Sequence, residues 1–455
     1  MNFEKIIAEI LSLGSQYIDI RIFKGARTSF EMREQKVKEI LSGFEQGVGI
    51  RVLFEGSWGF VSTNELSKID LATKTAFKLA KSTSEAYKRE NFELAPIPIR
   101  KDNFMLRVKK DPRDVSVKEK KELLINIDEA ARVFPEVVSV RARYAEGLGT
   151  ETLLTSEGTF IEVKLIKTLV SVEAIAKKDG DLQFAYENVG GAAGFEAVEN
   201  TSDLGKVAAK KAVELLSAEV CPSGKFPIIM DSKLAGVFIH EALGHAAEAD
   251  LILQKNSVLE GRLGSEIGSK HVTIIDDPTI EKSFGFYPYD DEGVKARKTV
   301  VIKDGILTSY LHSRETAFKL KSEPTGHARA EGYHAKPLVR MSNIFIEPKD
   351  WSLEEMVADI QFGIYLAGLR GGQVDPARGI FQFGAERGFL IEKGKFTKPL
   401  RNAGLSGNTL DILKKIDAVG KDFQLSPGMC GKAGQLVPTG DGGSHIRVLE
   451  ALVGA

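Results

Sequence analysis

Two imidazoles and a carboxylate fall within six residues, in His240-Glu241-Ala242-Leu243-Gly244-His245. Imidazole is a common zinc ligand, and a carboxylate beside such a ligand is placed to take a proton from water. The grouping is close to H-E-x-x-H, in which two histidines hold zinc and the glutamate acts as general base. The chemistry it points to is attack of an activated water on a carbonyl. Only 7 histidines occur in 455 residues, so two of them this close around a glutamate is unlike chance. The plain alternative for Glu241 is a solvated helix carboxylate.

The spacing is one residue longer than in that pattern. On a regular helix, about 100° per residue, side chains at i and i+4 lie roughly 40° apart and can share an ion. At i+5 the rings lie roughly 140° apart. The flanks, residues 234–238 and 246–249, read as helix. The segment therefore serves one metal only if the helix is deformed, by a one-residue π-bulge or a break near Gly244.

Catalytic zinc usually keeps three protein ligands and a water. The motif supplies two. Candidates for the third are Cys430, His271, His312, His327, His334, His445, Glu248 and Asp250. Cys430 stands in Ser426-Pro427-Gly428-Met429-Cys430-Gly431-Lys432, which reads as a Gly-rich turn between apolar segments. Zinc would hold its sulfur as thiolate. A buried structural thiol is the other reading.

Elements must position these groups. Residues 3–13 read as an amphipathic helix closed by Gly14, and 17–23 as a half-buried strand. Residues 29–41 look extended. Strands are expected at 48–54 and 59–62 around Glu55-Gly56-Ser57, and at 137–151 and 159–177. Helices are expected at 66–86, 116–134 and 204–219. Cys221-Pro222-Ser223-Gly224 marks a boundary, giving residues 1–220 as an N-terminal mixed α/β domain and 221–455 as a second. There a short strand, 226–230, leads into the motif helix, capped by Asp231 or Ser232. Further strands are expected at 272–275, 298–303, 306–311, 339–345 and 381–390, with one helix at 352–362. Hairpin turns sit at Lys303-Asp304-Gly305 and Glu392-Lys393-Gly394. The fold class is α+β, with a β-rich, barrel- or sandwich-like C-terminal domain carrying the motif helix.

Composition excludes several classes. Net charge is −1, so no whole-chain field favours nucleic acid or an anionic membrane. No apolar run is long enough to cross a bilayer, and the first residues lack a signal-peptide pattern. Two distant cysteines, Cys221 and Cys430, fit a reducing, cytoplasmic setting rather than a disulfide scaffold.

Beyond the motif, the C-terminal half resembles the TldD/PmbA family, described as DNA gyrase modulators and as zinc metallopeptidases. The resemblance is carried by Asp290-Asp291-Glu292-Gly293, Lys303-Asp304-Gly305-Ile306-Leu307, Thr325-Gly326-His327-Ala328-Arg329, Arg340-Met341-Ser342-Asn343, Gly371-Gly372-Gln373-Val374-Asp375 and Gly428-Met429-Cys430-Gly431-Lys432-Ala433-Gly434-Gln435. The first half resembles the family in its order of elements. Presence of H-E-x-x-x-H and the late cysteine places the chain with the TldD branch. The resemblance implies zinc on His240, His245 and Cys430, Glu241 as catalytic base, a TldE/PmbA-like partner in a heterodimer with an internal chamber, and cleavage of short or unfolded polypeptides. Two stretches depart from the family pattern: Asp441-Gly442-Gly443-Ser444-His445, and the end, Leu452-Val453-Gly454-Ala455. Both bear on the C-terminal rim or the partner contact.

His327 and His334 read either as substrate-side contacts or as ordinary histidines. A β-rich half suggests that a peptide adds to a strand edge, with binding directed by backbone rather than side chains. Two rival functions stay distinct from a peptidase. One is a non-catalytic regulatory subunit acting on gyrase or another partner; the other is a metal-dependent amidohydrolase of small amides.

Overall fold

The computed structural model describes residues 3–87 and 90–454. Four long strands, Tyr17–Arg33, Lys36–Phe54, Val137–Thr155 and Phe160–Lys178, form the body of a seven-stranded sheet. Helices cover its two ends. Phe3–Ser12 and Ile69–Tyr87 pack on one end, with Ile10, Ile18, Ile50 and Val52 at the centre of that core. Val117–Ala131 and Asp203–Leu216 pack on the other, over Leu124, Ile127, Val140 and Tyr144. Ser116 caps the third of these helices through a reciprocal box with Glu119, as its Ser-x-x-Glu pattern leads one to expect. The middle of the sheet carries no helix.

From Glu219 onward, besides the short pair Ala328–Arg329 and Leu338–Val339, two large sheets form, one of ten strands and one of six. They face each other across a large apolar core that includes Phe238, Ile239, Leu243, Ile344 and Phe381. The motif segment runs through this core. It starts as an α-helix, Ser232–Phe238, capped by Asp231, whose carboxylate accepts from the Leu234 amide at 2.7 Å. The next six residues, Ile239–Gly244, are π-helical, and His245–Ala247 close in a 3₁₀ turn. The architecture is α+β, as expected, with the motif helix between the two C-terminal sheets.

Several expectations need correction. The stretch 29–41 is not one extended segment: a turn at Glu34 and Gln35, both at positive φ (53° and 58°), reverses the chain between the first two strands. The expected strand 381–390 divides into Ile380–Gly384 and Arg387–Glu392, which pair with different neighbours. The expected strand 339–345 likewise divides into Leu338–Val339 and Asn343–Ile346. Of 306–311 only Ile306–Leu307 is a strand. The expected helix 352–362 ends at Ala358, and Phe362 already opens the strand Phe362–Ala367. Apolar runs alone do not show where a strand leaves one sheet for another.

Cys430 is also misplaced by the sequence reading. It lies within the strand Gln424–Lys432, opposite Val437 of Gln435–Gly443, and the turn falls three residues later at Ala433-Gly434.

Candidate metal centre

The helix deformation required by the i+5 spacing is present as a π-turn. The His245 amide donates to the His240 carbonyl, the i+5→i bond that defines such a turn. It swings the two rings to the same side, with centroids 5.2 Å apart. Gly244 contributes differently from what its flexibility suggested. Its backbone is ordinary right-handed helix (φ −56°, ψ −49°). A Cβ there would lie 1.9 Å from the Met341 sulfur and 2.9 Å from the Ile344 side chain. Glycine lets the π-turn lie close against the Met341 and Ile344 side chains, which any larger residue would have to displace.

That sheet supplies the third group. Its outer hairpin carries Cys430 on the face turned to the helix, and the sulfur lies 3.5 Å from His245 Nε2. One ligand atom each from His240, His245 and Cys430 fall within 4.8 Å of one another, and all three residues are buried. Among the described residues this is the group of His, Cys, Asp and Glu side chains close enough to hold an ion.

Both imidazoles are oriented through Nδ1. His240 Nδ1 lies 2.6 Å from Asp441 Oδ1, and His245 Nδ1 lies 3.0 Å from Glu248 Oε2. Each Nε2 is thereby left for an ion, the tautomer arrangement usual for ligating histidines. Lys432, two residues past Cys430, donates to Glu248 at 2.9 Å, to both oxygens of Asp250 at 2.8 and 2.7 Å, and to the Val339 carbonyl at 3.0 Å. It fastens the loop after the motif to the cysteine strand. The donor set, two imidazoles and a thiol with carboxylates behind the rings, fits zinc with one position left open.

Charges in the pocket are strongly coupled. Burial alone would push the Cys430 thiol up, but the two neighbouring rings bring it down to about 6. Burial likewise opposes a proton on the rings. For His245 the Glu248 carboxylate and Cys430 reverse this and raise it to about 10. Asp441 and Cys430 hold His240 well above the ordinary imidazole range. The metal-free pocket at neutral pH therefore holds a thiolate between two imidazolium rings. Zinc binding must displace the ring protons, so affinity rises with pH from about 6 toward about 10 and falls more steeply below about 6, where the thiol also reprotonates. Calorimetric zinc titrations at pH 7 in buffers of different ionisation enthalpy are expected to show about two protons released per ion. Release near zero would contradict this charge state.

Glu241 stands apart from the three. Its side chain is 37% exposed, and its carboxylate lies 4.0 Å from His245 Nε2.

The other candidate ligands serve elsewhere. His327 is wholly buried, bound to Asp276 at 2.9 Å and Thr325 at 2.8 Å, so it is a core residue and not a substrate contact. His312 bonds Thr316 at 3.2 Å, and burial with the nearby His327 lowers it to about 4. His445 pairs with Asp422 at 2.7 Å and meets the Tyr365 hydroxyl at 3.1 Å. His334 is half-exposed, 3.9 Å from Glu331. The backbone amide of His271 bonds the Ser269 hydroxyl, and its ring is outside the cluster. Glu248 and Asp250 stand behind the pocket rather than in it. The sequence reading missed Asp441 and Lys432. The hairpin register was the available signal: Cys430 opposite Val437 puts Asp441 on the same face, four residues further along.

Comparison with known proteins gives the family. Family models described as PmbA/TldA metallopeptidase domain 1, central domain and C-terminal domain match residues 18–80, 110–216 and 223–455. A metalloprotease of Methanocaldococcus jannaschii is 47% identical, over 99% of this chain and 100% of the relative. The chain belongs to the PmbA/TldD metallopeptidase family. A second family member, a zinc metalloprotease TldD homolog of Saccharolobus solfataricus, is 29% identical over 99% of both chains. The crystal structure of TldE from Thermococcus kodakarensis shares the fold, with a TM-score of 0.80 over 100% of both chains at 18% identity. None of the described helices is long and apolar enough to cross a membrane.

Proposed function

We propose that the chain is a zinc-dependent peptidase that cleaves short or unfolded polypeptides, in complex with a TldE-like partner. The observation that carries this reading is the convergence of His240, His245 and Cys430 beside a partly exposed Glu241. His240, His245 and Cys430 would hold the ion, which when bound would supply Lewis-acid polarisation of the carbonyl and acidification of a water. Glu241 takes the proton of that water and returns it to the leaving amine. Asp441 and Glu248 keep the rings aimed, and the surrounding apolar core keeps bulk solvent from the ligands.

Cys430 lies on an outer strand of the six-stranded sheet. An extended substrate paired to that edge runs its carbonyls past the centre, so recognition is by backbone. The TldE likeness supports a partner of the same fold.

The test is to incubate the zinc-loaded chain, alone and with a TldE-like partner, with an unfolded polypeptide and to map fragments by mass spectrometry. Cleavage after many residue types, stopped by chelation and restored by zinc, is expected. Hydrolysis of small amides only, or strict dependence on one side chain, would contradict the reading.

A further inference from the structure

The uncovered middle of the N-terminal sheet forms one wall of a cleft of about 420 Å³, within the roughly 300–1,000 Å³ usual for small-ligand sites. The other wall includes Phe284, Phe286, Tyr287 and Tyr289, with Met429 and Leu436 at one side. Met429 and Leu436 belong to the hairpin that carries Cys430. Their neighbours Cys430 and Val437 point into the core, and side chains alternate along a strand, so Met429 and Leu436 point the opposite way. The cleft is therefore behind the metal hairpin and separate from the metal pocket.

The sheet wall is shaped for an occupant. Gly25 pairs with Gly149, and Phe23 with Glu151, on adjacent strands. The Phe23 ring lies flat over the two glycines: a Cβ on Gly25 or Gly149 would meet it at 2.6 or 2.7 Å. Beside it Gly147 faces empty space, with nothing within 4 Å of a built Cβ. The result is a flat aromatic floor next to a void.

Three cations in and around the cleft are already engaged, and Arg27 stands exposed opposite Gly147. Lys167 donates to the Phe284 carbonyl at 2.7 Å. Arg329 donates to the carbonyls of Met341 and Pro438 and stacks on Tyr287 at 4.9 Å. Arg21 sits 3.5 Å from Asp291. Glu151 differs. It feels the fields of Arg21, Lys167 and Arg329 without a hydrogen bond to any of them, and Asp291 repels it. Glu151 and Asp291 both line the cleft, and burial with the field of Asp291 raises Glu151 to about 7, so an organic ammonium over the aromatic floor would offset both.

We propose that this cleft binds the amino-terminal end of a short apolar peptide, its ammonium at Glu151 and its side chain against Phe23. The ligand class rests on the peptidase reading; the site itself does not. It holds substrate or product outside the reaction centre.

The test uses the full chain carrying Glu241→Gln and stripped of metal, titrated calorimetrically with the dipeptide Phe-Leu and with N-acetyl-Phe-Leu. The free dipeptide should bind, and acetylation should weaken it about tenfold. Glu151→Gln should abolish that difference. Gly147→Leu, whose Cβ meets nothing within 4 Å and whose branch reaches into the void, should weaken binding about tenfold or more. Absence of dipeptide binding, equal affinity of the two peptides, or unchanged affinity in Gly147→Leu would each overturn the proposal. Hydrolysis by the zinc-loaded parent chain is assayed in parallel. Binding without hydrolysis fails the peptidase reading alone; hydrolysis without binding fails this one alone.

Discussion

Replacing Glu241 with glutamine is expected to lower peptide hydrolysis by about 10²–10⁴-fold while zinc content stays unchanged. Glutamine has the same shape, so the π-turn and the three ligands are undisturbed. What it lacks is the ability to accept a proton. Glu241 lies outside the buried group of His240, His245 and Cys430, 4.0 Å from the metal-facing nitrogen of His245, so its loss should leave metal binding intact. The defect should fall on kcat and leave KM nearly unchanged, because the proton transfer is made in the transition state. Steady-state kinetics with parallel metal analysis read both quantities. Full activity in this variant would favour the regulatory-subunit reading, in which no proton moves.

Removing a ligand should do more. Cys430→Ser takes the soft donor from the centre and leaves two imidazolium rings without the thiolate between them. Zinc affinity should fall by more than the roughly 10–100-fold that the loss of an outer partner costs. Lys432→Met supplies the comparison. It unties Glu248 and Asp250 from the cysteine strand but removes no ligand, so it should weaken zinc within that roughly 10–100-fold range. Competition with a chromophoric chelator ranks the two variants. If Lys432→Met lost zinc as completely as Cys430→Ser, the assignment of ligand and support would be reversed.

The centre was legible in the sequence because its chemistry is local. A histidine pair spaced i, i+5 on an apolar helix can serve one ion only through a deformed turn, and a π-turn is what Ile239–Gly244 forms. Cys430 was reachable from its residue type and from family resemblance, but not from its surroundings. Its Gly-rich neighbourhood reads as a turn, whereas Gly428 and Gly431 lie within a strand. Asp441 was missed for a related reason. It is 201 positions from His240, and only the strand pairing brings them together. The first four helices followed from caps and periodicity, as Ser116 and Glu119 illustrate, whereas the first hairpin turn at Glu34-Gln35 did not. Where a run breaks to take new neighbours, as at Ala385 and Glu386, the sequence carries one apolar run and the structure two strands of the same sheet. The buried His327 shows the converse error. A histidine in a loop-like stretch was open to a substrate role, yet Asp276 and Thr325 hold both its ring nitrogens.

The central claim is that one ion sits among two imidazoles from a π-turn and a thiolate from the hairpin opposite. X-ray absorption at the zinc edge of the metal-loaded chain tests it most directly. One sulfur at about 2.3 Å and two imidazole nitrogens at about 2.0–2.1 Å are predicted, with the sulfur signal gone in Cys430→Ser. A spectrum of nitrogen and oxygen alone in the unaltered chain would contradict it.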